Sequence, residues 1–329
     1  MQVTVLAGGI GAARFLGGLI AVARSKESEP TITVIGNTGD DIRLFGLQVC
    51  PDLDSVMYTL GGGASVERGW GREDESFTVL EELRAYGAKP DWFGLGDRDF
   101  ATHILRSQML AGGYPLSAVT AALCQRWQLP VTLLPMSDDR IETHVVVDDP
   151  DTGESTALHF QEWWVRHHAA LPASEFIMIG AEDAAPAPGV IDAIMSADLV
   201  VLPPSNPVVS IGPILAVPGI RAALRRTSAP VVGVSPIVGG APLRGMADAC
   251  LSAIGVPTTA LGVAQHYGSR TGDGVLDGWV VDDADAAAVA DIEALGIAAR
   301  SMNTIFDDLE VTCDVARALI SIGEQVRTT

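Results

Sequence analysis

The chain has 329 residues, with 21 basic and 41 acidic side chains and a formal net charge of −20. That balance excludes a nucleic-acid surface or an anionic membrane surface, both of which need a cationic face. Hydrophobic residues make up 48% and charged residues 19%, which excludes a disordered chain. The only lysines are Lys26 and Lys89, so any grip on phosphate falls to arginine, backbone amides or a metal. No apolar run reaches the ~18–20 residues of a membrane span. The N-terminus lacks the basic region of a signal peptide. Cys50, Cys124, Cys250 and Cys313 are widely spaced and form no C-x-x-C. A reducing, cytoplasmic location is expected.

In chain order, residues 2–7 (QVTVLA) read as a buried strand, followed by a turn at Gly8, Gly9 and Gly11 and a helix over 12–23. Residues 31–36 (TITVIG) read as a second strand closed by Asn37-Thr38-Gly39. This is the opening of a parallel βαβ sheet. Helices are expected near 75–86, 99–111 and 117–127. Strand-like runs at 131–134, 141–148 and 155–160 follow, with a turn at 149–153. The βα alternation then resumes with strands at 176–179, 198–202, 230–235 and 278–282. Helices near 189–196, 219–226 and 246–253 alternate with them, and one over 312–326 closes the chain. The expected fold is a Rossmann-like, doubly wound, mostly parallel α/β sheet. Residues 1–64 and 171–329 form its core, and 65–170 form a mainly helical insertion carrying a β-hairpin.

Five segments could carry chemistry. Gly8, Gly9 and Gly11 stand between a strand and a helix, where backbone N–H groups can approach an anion. Arg14 takes the third glycine position of the dinucleotide fingerprint, and no Walker lysine follows. The turns holding Asp40, Asp41, Asp52 and Asp54 place four carboxylates near one strand end. They suit Mg²⁺ shared with a phosphate, or are solvated turns with Asp52 as a helix cap. Asp97-Arg98-Asp99 could aim a guanidinium at a phosphate or simply open a helix, and His103 behind it reads as a partly buried imidazole. Trp163 and Trp164 could wall a planar ring or pack a domain. Ser205, Asn206 and Gly212 lie in a proline-stiffened loop at the carboxyl end of a strand, where ligands gather, and Arg244 follows a similar loop. No nucleophile elbow and no H-E-x-x-H is present.

Taken together, these segments resemble the 2-phospho-L-lactate transferases of coenzyme F420 biosynthesis, especially the actinobacterial members that use a phosphoenolpyruvyl donor. The matching stretches are LAGGIGAARFL at 6–16, GNTGDD at 36–41, PDLDSVMYTLGG at 51–62 and LGDRDFATHILR at 95–106. LPMSDD at 134–139, HFQEWWV at 159–165, PSNPVVSIGPIL at 204–215 and PLRGMAD at 242–248 continue the order. The resemblance implies transfer of a phosphoenolpyruvyl or 2-phospho-L-lactyl group from a guanosine diphosphate-linked donor to the ribityl hydroxyl of the deazaflavin Fo, with GMP leaving. It implies Mg²⁺ on Asp40, Asp41 and Asp54, with Asp54 also a candidate proton acceptor and Asp41 catalytic beside it. It further implies that Gly8, Gly9, Gly11, Ser205, Asn206 and Gly212 hold the nucleotide and its phosphates. Asp52, Arg98, Trp163 and Trp164 would face the deazaflavin. A homodimer is expected, because the helical insertion must cover apolar surface.

Other classes share some of these features. A nucleotide-sugar-binding regulator of the gluconeogenesis-factor type would explain the glycine turn and the core, but not the L-G-D-R-D and H-F-Q-E-W-W segments. An NAD-dependent oxidoreductase is disfavoured by Arg14 and by Asn37, which stands where an acidic residue would hold the ribose. A non-catalytic scaffold should be indifferent to metal at its aspartates.

Overall fold

A computed structural model describes residues 1–24, 31–65, 67–148 and 152–328. Lys26 and the turn residues Asp149, Pro150 and Asp151 lie outside these. Seven parallel strands form the central sheet: β1 (Gln2–Ala7), β2 (Thr31–Gly36), β3 (Thr132–Pro135), β4 (Leu199–Leu202), β5 (Val231–Val234), β6 (Gly278–Val281) and β7 (Ala298–Ser301). Their order is β7-β6-β5-β4-β1-β2-β3. Starting from β1, the chain winds outward through β2 to β3. It then returns to β4 on the other side of β1 and winds outward to β7. The direction of winding reverses between β1 and β4, and in such sheets the crevice beyond the carboxyl ends at that point is where ligands bind.

Both faces of the sheet are covered, which explains the β-branched runs without polar alternation. Val3, Val5 and Ala7 enter one core with α1 (Gly9–Arg24), α2 (Pro51–Leu60), α4 (Leu116–Trp127) and α5 (Leu309–Thr328). Leu6 enters the opposite core, with Ile35, Val200 and Leu202. A third, smaller core joins the antiparallel pair Ile42–Leu44 and Leu47–Val49 to Leu80, Leu95 and Phe100 of the insertion. Phe100 lies on α3 (Asp97–Ala111), which carries the L-G-D-R-D segment at its start.

The structure departs from the sequence reading in three places. The run at 131–134 becomes β3 and pairs with β2, so the expected insertion splits into a helical part before this strand and a sheet after it. The run at 176–179 belongs to a longer strand, Ala173–Ile179, which pairs antiparallel with Glu142–Asp148. It does not join the central sheet: Ile177 and Ile179 are exposed, as on a sheet with one solvated face. The edge strand β7 reads AARS, a weak strand signal that escapes pattern reading.

Helix α1 packs closely against α5 at Gly18. A Cβ there would stand 2.5 Å from Thr312 Cγ2 and 2.7 Å from the Thr312 carbonyl carbon. Backbone cannot yield as a side chain does, so Gly18→Ala is expected to destabilise the protein by about 1–3 kcal/mol. Denaturant melts check this, and an unchanged midpoint would refute the close packing.

Candidate active site

Two loops face each other at the reversal between β1 and β4. Ser205 Oγ donates to the Gly8 carbonyl at 2.8 Å. A Cβ on Gly8 would lie 2.5 Å from Ser210 Cβ, and one on Gly11 would lie 2.9 Å from the Pro204 carbonyl. Gly9 has φ +73°, which glycine adopts without strain. The glycines therefore let the β1 loop dock against the β4 loop. The Asn206 side-chain oxygen accepts from Val208 N at 2.9 Å and Val209 N at 3.3 Å, which closes the following turn. Gly212 sits behind that turn, its Cβ position 3.1 Å from the Pro207 carbonyl.

The aspartates meet beside these loops. Asp40, Asp41, Asp52 and Asp54 are each 6% exposed or less. Asn37, fully buried at the end of β2, ties the site together. Its amide donates to Asp52 Oδ2 at 2.9 Å and to the Val209 carbonyl at 3.2 Å, while its oxygen accepts from Gly39 N at 2.8 Å. Asp52 also accepts from the Gly9 backbone. A protein carboxylate thus already takes an amide of the glycine turn, where the sequence reading puts a diphosphate.

Burial pushes the Asp52 carboxyl up to about 6, against the lowering effect of Asn37. Burial first, and then the Asp52 charge, push Asp40 well above the usual range. Asp41 is raised by burial too, and a hydrogen bond from Cys50 and then the charge of Arg106 only partly offset it. One oxygen each of Asp40, Asp41, Thr38 and Thr143 is buried without a hydrogen-bond partner.

Asp54 differs from the other three. Both of its oxygens face Arg106 on α3: Nη1 donates to Oδ2 at 3.0 Å, and Nη2 donates to Oδ1. Arg106 is 2% exposed. Burial works against its charge, but Asp54 outweighs burial and holds the guanidinium ionised. His103 Nδ1 lies 3.1 Å from Arg106 Nη1. Since arginine can only donate, this ring nitrogen accepts and the imidazole is neutral. Burial accordingly lowers the His103 pKa to about 4. Arg106 escaped the sequence reading, although it follows His103 at the i, i+3 spacing that puts both on one helix face.

The structure corrects several expected roles. Arg106 takes one lone pair on each Asp54 oxygen and neutralises its charge, which weakens Asp54 as a metal ligand or proton acceptor. Trp163 is fully buried, its Nε1 donating to the Leu171 carbonyl at 2.8 Å and its ring against Phe160 and Phe176. It is core, not a ligand wall. Trp164 is half-buried against the same core. The exposed Arg98 donates to the Glu73 carbonyl at 2.9 Å and points its guanidinium at backbone, not at the aspartates. Asp97, beside it, accepts from Val79 N at 2.8 Å and caps the neighbouring helix Thr78–Ala85. Another contact went unforeseen: His159 Nε2 lies 3.1 Å from the Asp41 carbonyl, and its Nδ1 accepts from Gln161 N at 3.1 Å. The small antiparallel sheet thereby holds the Asp40–Asp41 turn.

The donor set fits Mg²⁺ in one particular way. Among the described residues, no group of three or more His, Cys, Asp or Glu is arranged to hold a metal. Mg²⁺ needs only one or two carboxylates when phosphate oxygens and waters complete its octahedron. The unpartnered oxygens of Asp40 and Asp41 match that requirement.

The chain is similar to known proteins along nearly its whole length. Residues 3–313 match the family model described as 2-phospho-L-lactate transferase CofD. A Streptomyces griseus protein named phosphoenolpyruvate transferase is 62% identical over 327 residues, covering 99% of this chain and 100% of that protein. Proteins of the same name from Streptomyces coelicolor and Thermobifida fusca are 59% and 60% identical, each covering 99% of both chains. A Bacillus halodurans crystal structure of a UPF0052 family member superposes with a TM-score of 0.61 at 20% identity, covering 97% of this chain and 98% of that one. That likeness shows the shared fold.

Two outcomes test the site. Arg106→Ala strands a buried charge and is expected to cost about 3–5 kcal/mol. Adding Asp54→Asn should recover part of that loss, and additive losses in urea melts would break the assigned pair. In the metal-free protein, the folded state holds protons on Asp52 between 3.8 and about 6, so its stabilising contribution is lost as pH rises through that window. Mg²⁺ would compete with protons on Asp40 and Asp41, both held well above the usual carboxylate range by burial, so the rise in Tm on adding it should be larger at high pH than at low pH. A Tm indifferent to Mg²⁺ at both would refute the metal fit.

Proposed function

Because the chain belongs to the 2-phospho-L-lactate transferase family, we propose that it transfers a phosphoenolpyruvyl group from a guanosine diphosphate-linked donor to the deazaflavin Fo. The observation that carries this reading is the buried aspartate cluster at the reversal of the sheet, with unpartnered oxygens on Asp40 and Asp41. The phosphoenolpyruvyl form, rather than the lactyl form, is supported by the names of relatives 59–62% identical along nearly the whole chain. The terminal ribityl hydroxyl oxygen bonds to the outer phosphorus, the bridging P–O bond to GMP breaks, and the product is dehydro-F420-0.

Asp40 and Asp41 would hold Mg²⁺, which when bound neutralises charge on the phosphoryl oxygens. Asn37 fixes the turn that bears them, through its contacts with Gly39 N and Asp52. Asp52, with a carboxyl near 6, suits acceptance of the hydroxyl proton better than the neutralised Asp54. Asp54 and Arg106 act on position, locking α3 to α2 beneath the site. Ser205 and Asn206 spend their side chains on the loops, so nucleotide contacts at this edge would come from backbone.

A reducing, cytoplasmic setting is supported by four free cysteines. Pairing of two copies is supported by Ile104 and Leu105 on α3, 46% and 47% exposed, and by Tyr86 and Tyr114 beside the insertion helices.

Incubation with Fo, the guanylylated phosphoenolpyruvate and Mg²⁺ should add the phosphoenolpyruvyl mass to the deazaflavin and release GMP in equal amount. Absence of both under these conditions would overturn the reading. Asp52→Asn is expected to lower kcat by about 10²-fold or more while leaving the KM for Fo nearly unchanged. An unaltered kcat would remove Asp52 as the acceptor.

A further inference from the structure

The HFQEWWV run at 159–165 begins with an imidazole that reaches the aspartate turn. Phe160 and Trp163 are buried and pack together, their ring centroids 6.1 Å apart. Trp163 is pinned further by its Nε1 bond to the Leu171 carbonyl and by Phe176, which it meets edge to face. Between these two anchors, the buried Gln161 gives its backbone N–H to His159 Nδ1 at 3.1 Å. On the other side of the ring, Nε2 stands 3.1 Å from the Asp41 carbonyl. A carbonyl only accepts and a backbone N–H only donates. One form of the imidazole satisfies both contacts, the neutral tautomer with its proton on Nε2. The other tautomer and the imidazolium each set a proton on Nδ1 against the Gln161 N–H. His144, directly opposite on the paired strand, meets the His159 ring edge to face at 5.6 Å between centroids.

The carbonyl that His159 holds sets the pose of Asp41. The Asp41 N–H donates to the Thr38 carbonyl at 3.3 Å. With its N–H and its C=O both held, the two soft dihedrals of Asp41 are fixed, and so is the direction of its Cα–Cβ bond. Gln48 Nε2 stands 3.5 Å from Asp41 Oδ2 on the far side. The oxygen left without a hydrogen-bond partner is the buried Oδ1. Two residues earlier in the turn, Thr143 N donates to the Gly39 carbonyl at 2.7 Å. The small antiparallel sheet therefore takes this turn at two carbonyls, one through backbone and one through a side chain. The backbone contact does not depend on which residue makes it. The contact of His159 does, so this residue is the part of the clamp that a substitution can remove.

We propose that His159 is a positioning residue for the transfer: its Nε2–H fixes the Asp41 carbonyl and thereby aims the free Asp41 oxygen at the Mg²⁺ that accompanies the donor. This rests on the transfer reading for the purpose of the cation, but not for the tautomer or the clamp. His159 touches neither substrate nor metal and acts through Asp41 alone. The aromatic residues Phe160 and Trp163 then have a use that is not ligand binding. They mount the turn whose Gln161 N–H selects the tautomer.

Nitrogen NMR of the histidine rings and Mg²⁺ titrations of three proteins test this: the wild type, His159→Gln, which keeps a side-chain N–H donor, and His159→Phe, which keeps a ring without one. The ring signals lost in His159→Gln identify His159. In the metal-free wild type they should show a bare Nδ1 and a protonated Nε2, and the Nε2 signal should move when Mg²⁺ is added. The other tautomer, an imidazolium at neutral pH, or an Nε2 signal that Mg²⁺ leaves in place would overturn the proposal, whether or not either variant folds. His159→Phe should need about tenfold more Mg²⁺ for half-maximal turnover, the worth of one hydrogen bond, with the KM for Fo within about twofold of the wild type. His159→Gln should recover most of that loss. The rise in Tm that Mg²⁺ brings at high pH should shrink in His159→Phe and return in His159→Gln, with no turnover required. A merely structural residue would lower the metal-free Tm and leave the Mg²⁺ requirement unchanged, and that result would also overturn the proposal. A wild-type Tm that Mg²⁺ does not raise would overturn it together with the metal fit. If the wild type transfers the group and His159→Phe keeps the wild-type Mg²⁺ requirement, this inference alone fails. If the response to Mg²⁺ depends on His159 in a protein that transfers nothing, the transfer reading alone fails.

Discussion

Four carboxylates share a buried space that contains one paired cation, and most of the local architecture answers that constraint. Arg106 is drawn out of solvent to neutralise Asp54. Asn37 spends its amide on Asp52 and the Val209 carbonyl, so one neutral side chain fastens three loops. Asp40 and Asp41 are offset only in part, the first by Asn37 and the second by Cys50 and Arg106, and one buried oxygen of each has no hydrogen-bond partner. Proteins do not bury charge in this way for stability, since the desolvation cost exceeds what imperfect pairing returns. That burial is a cost to the fold by itself, and the raised carboxyls of Asp40 and Asp41 are its sign.

The site also explains why the insertion is more than decoration. The core sheet brings the aspartates together, but their fixed cation comes from α3, and their turn is held from the side by His159 of the small antiparallel sheet. A separate small core, with Leu44, Leu80 and Phe100, docks the helical part next to the Ile42–Val49 pair. Residues far apart in sequence thus set the charge state of a few atoms.

Much of the fold was legible because buried parallel strands leave unbroken β-branched runs, as in TITVIG and LVVL. The edge strand AARS leaves none, and an alternating run such as ASEFIMI does not say which sheet it joins. The site divides in the same manner. Aspartates clustered in turns announce themselves, and so do the loops at strand ends. The facing of a side chain does not. Trp163 and Trp164 are neighbours on a π-helical turn, Glu162–Arg166, that sends the first into the core and leaves the second partly out. Arg98 and Arg106 share one helix, and only its docking decides which of them is spent on backbone and which on Asp54.

The Asp54–Arg106 pair also bears on the order in which the molecule is assembled. A chain emerging from the ribosome delivers β1, β2 and α2 first, and the Asp54 carboxylate comes with them. Its counter-charge arrives with α3, while β4, which completes the crevice, is still to be made. Without α3, Asp54 has no counter-charge, so burying its carboxylate on α2 carries the full desolvation cost. The helical part of the insertion and the core are therefore linked in stability through one buried pair, although the sequence keeps its two halves 52 residues apart.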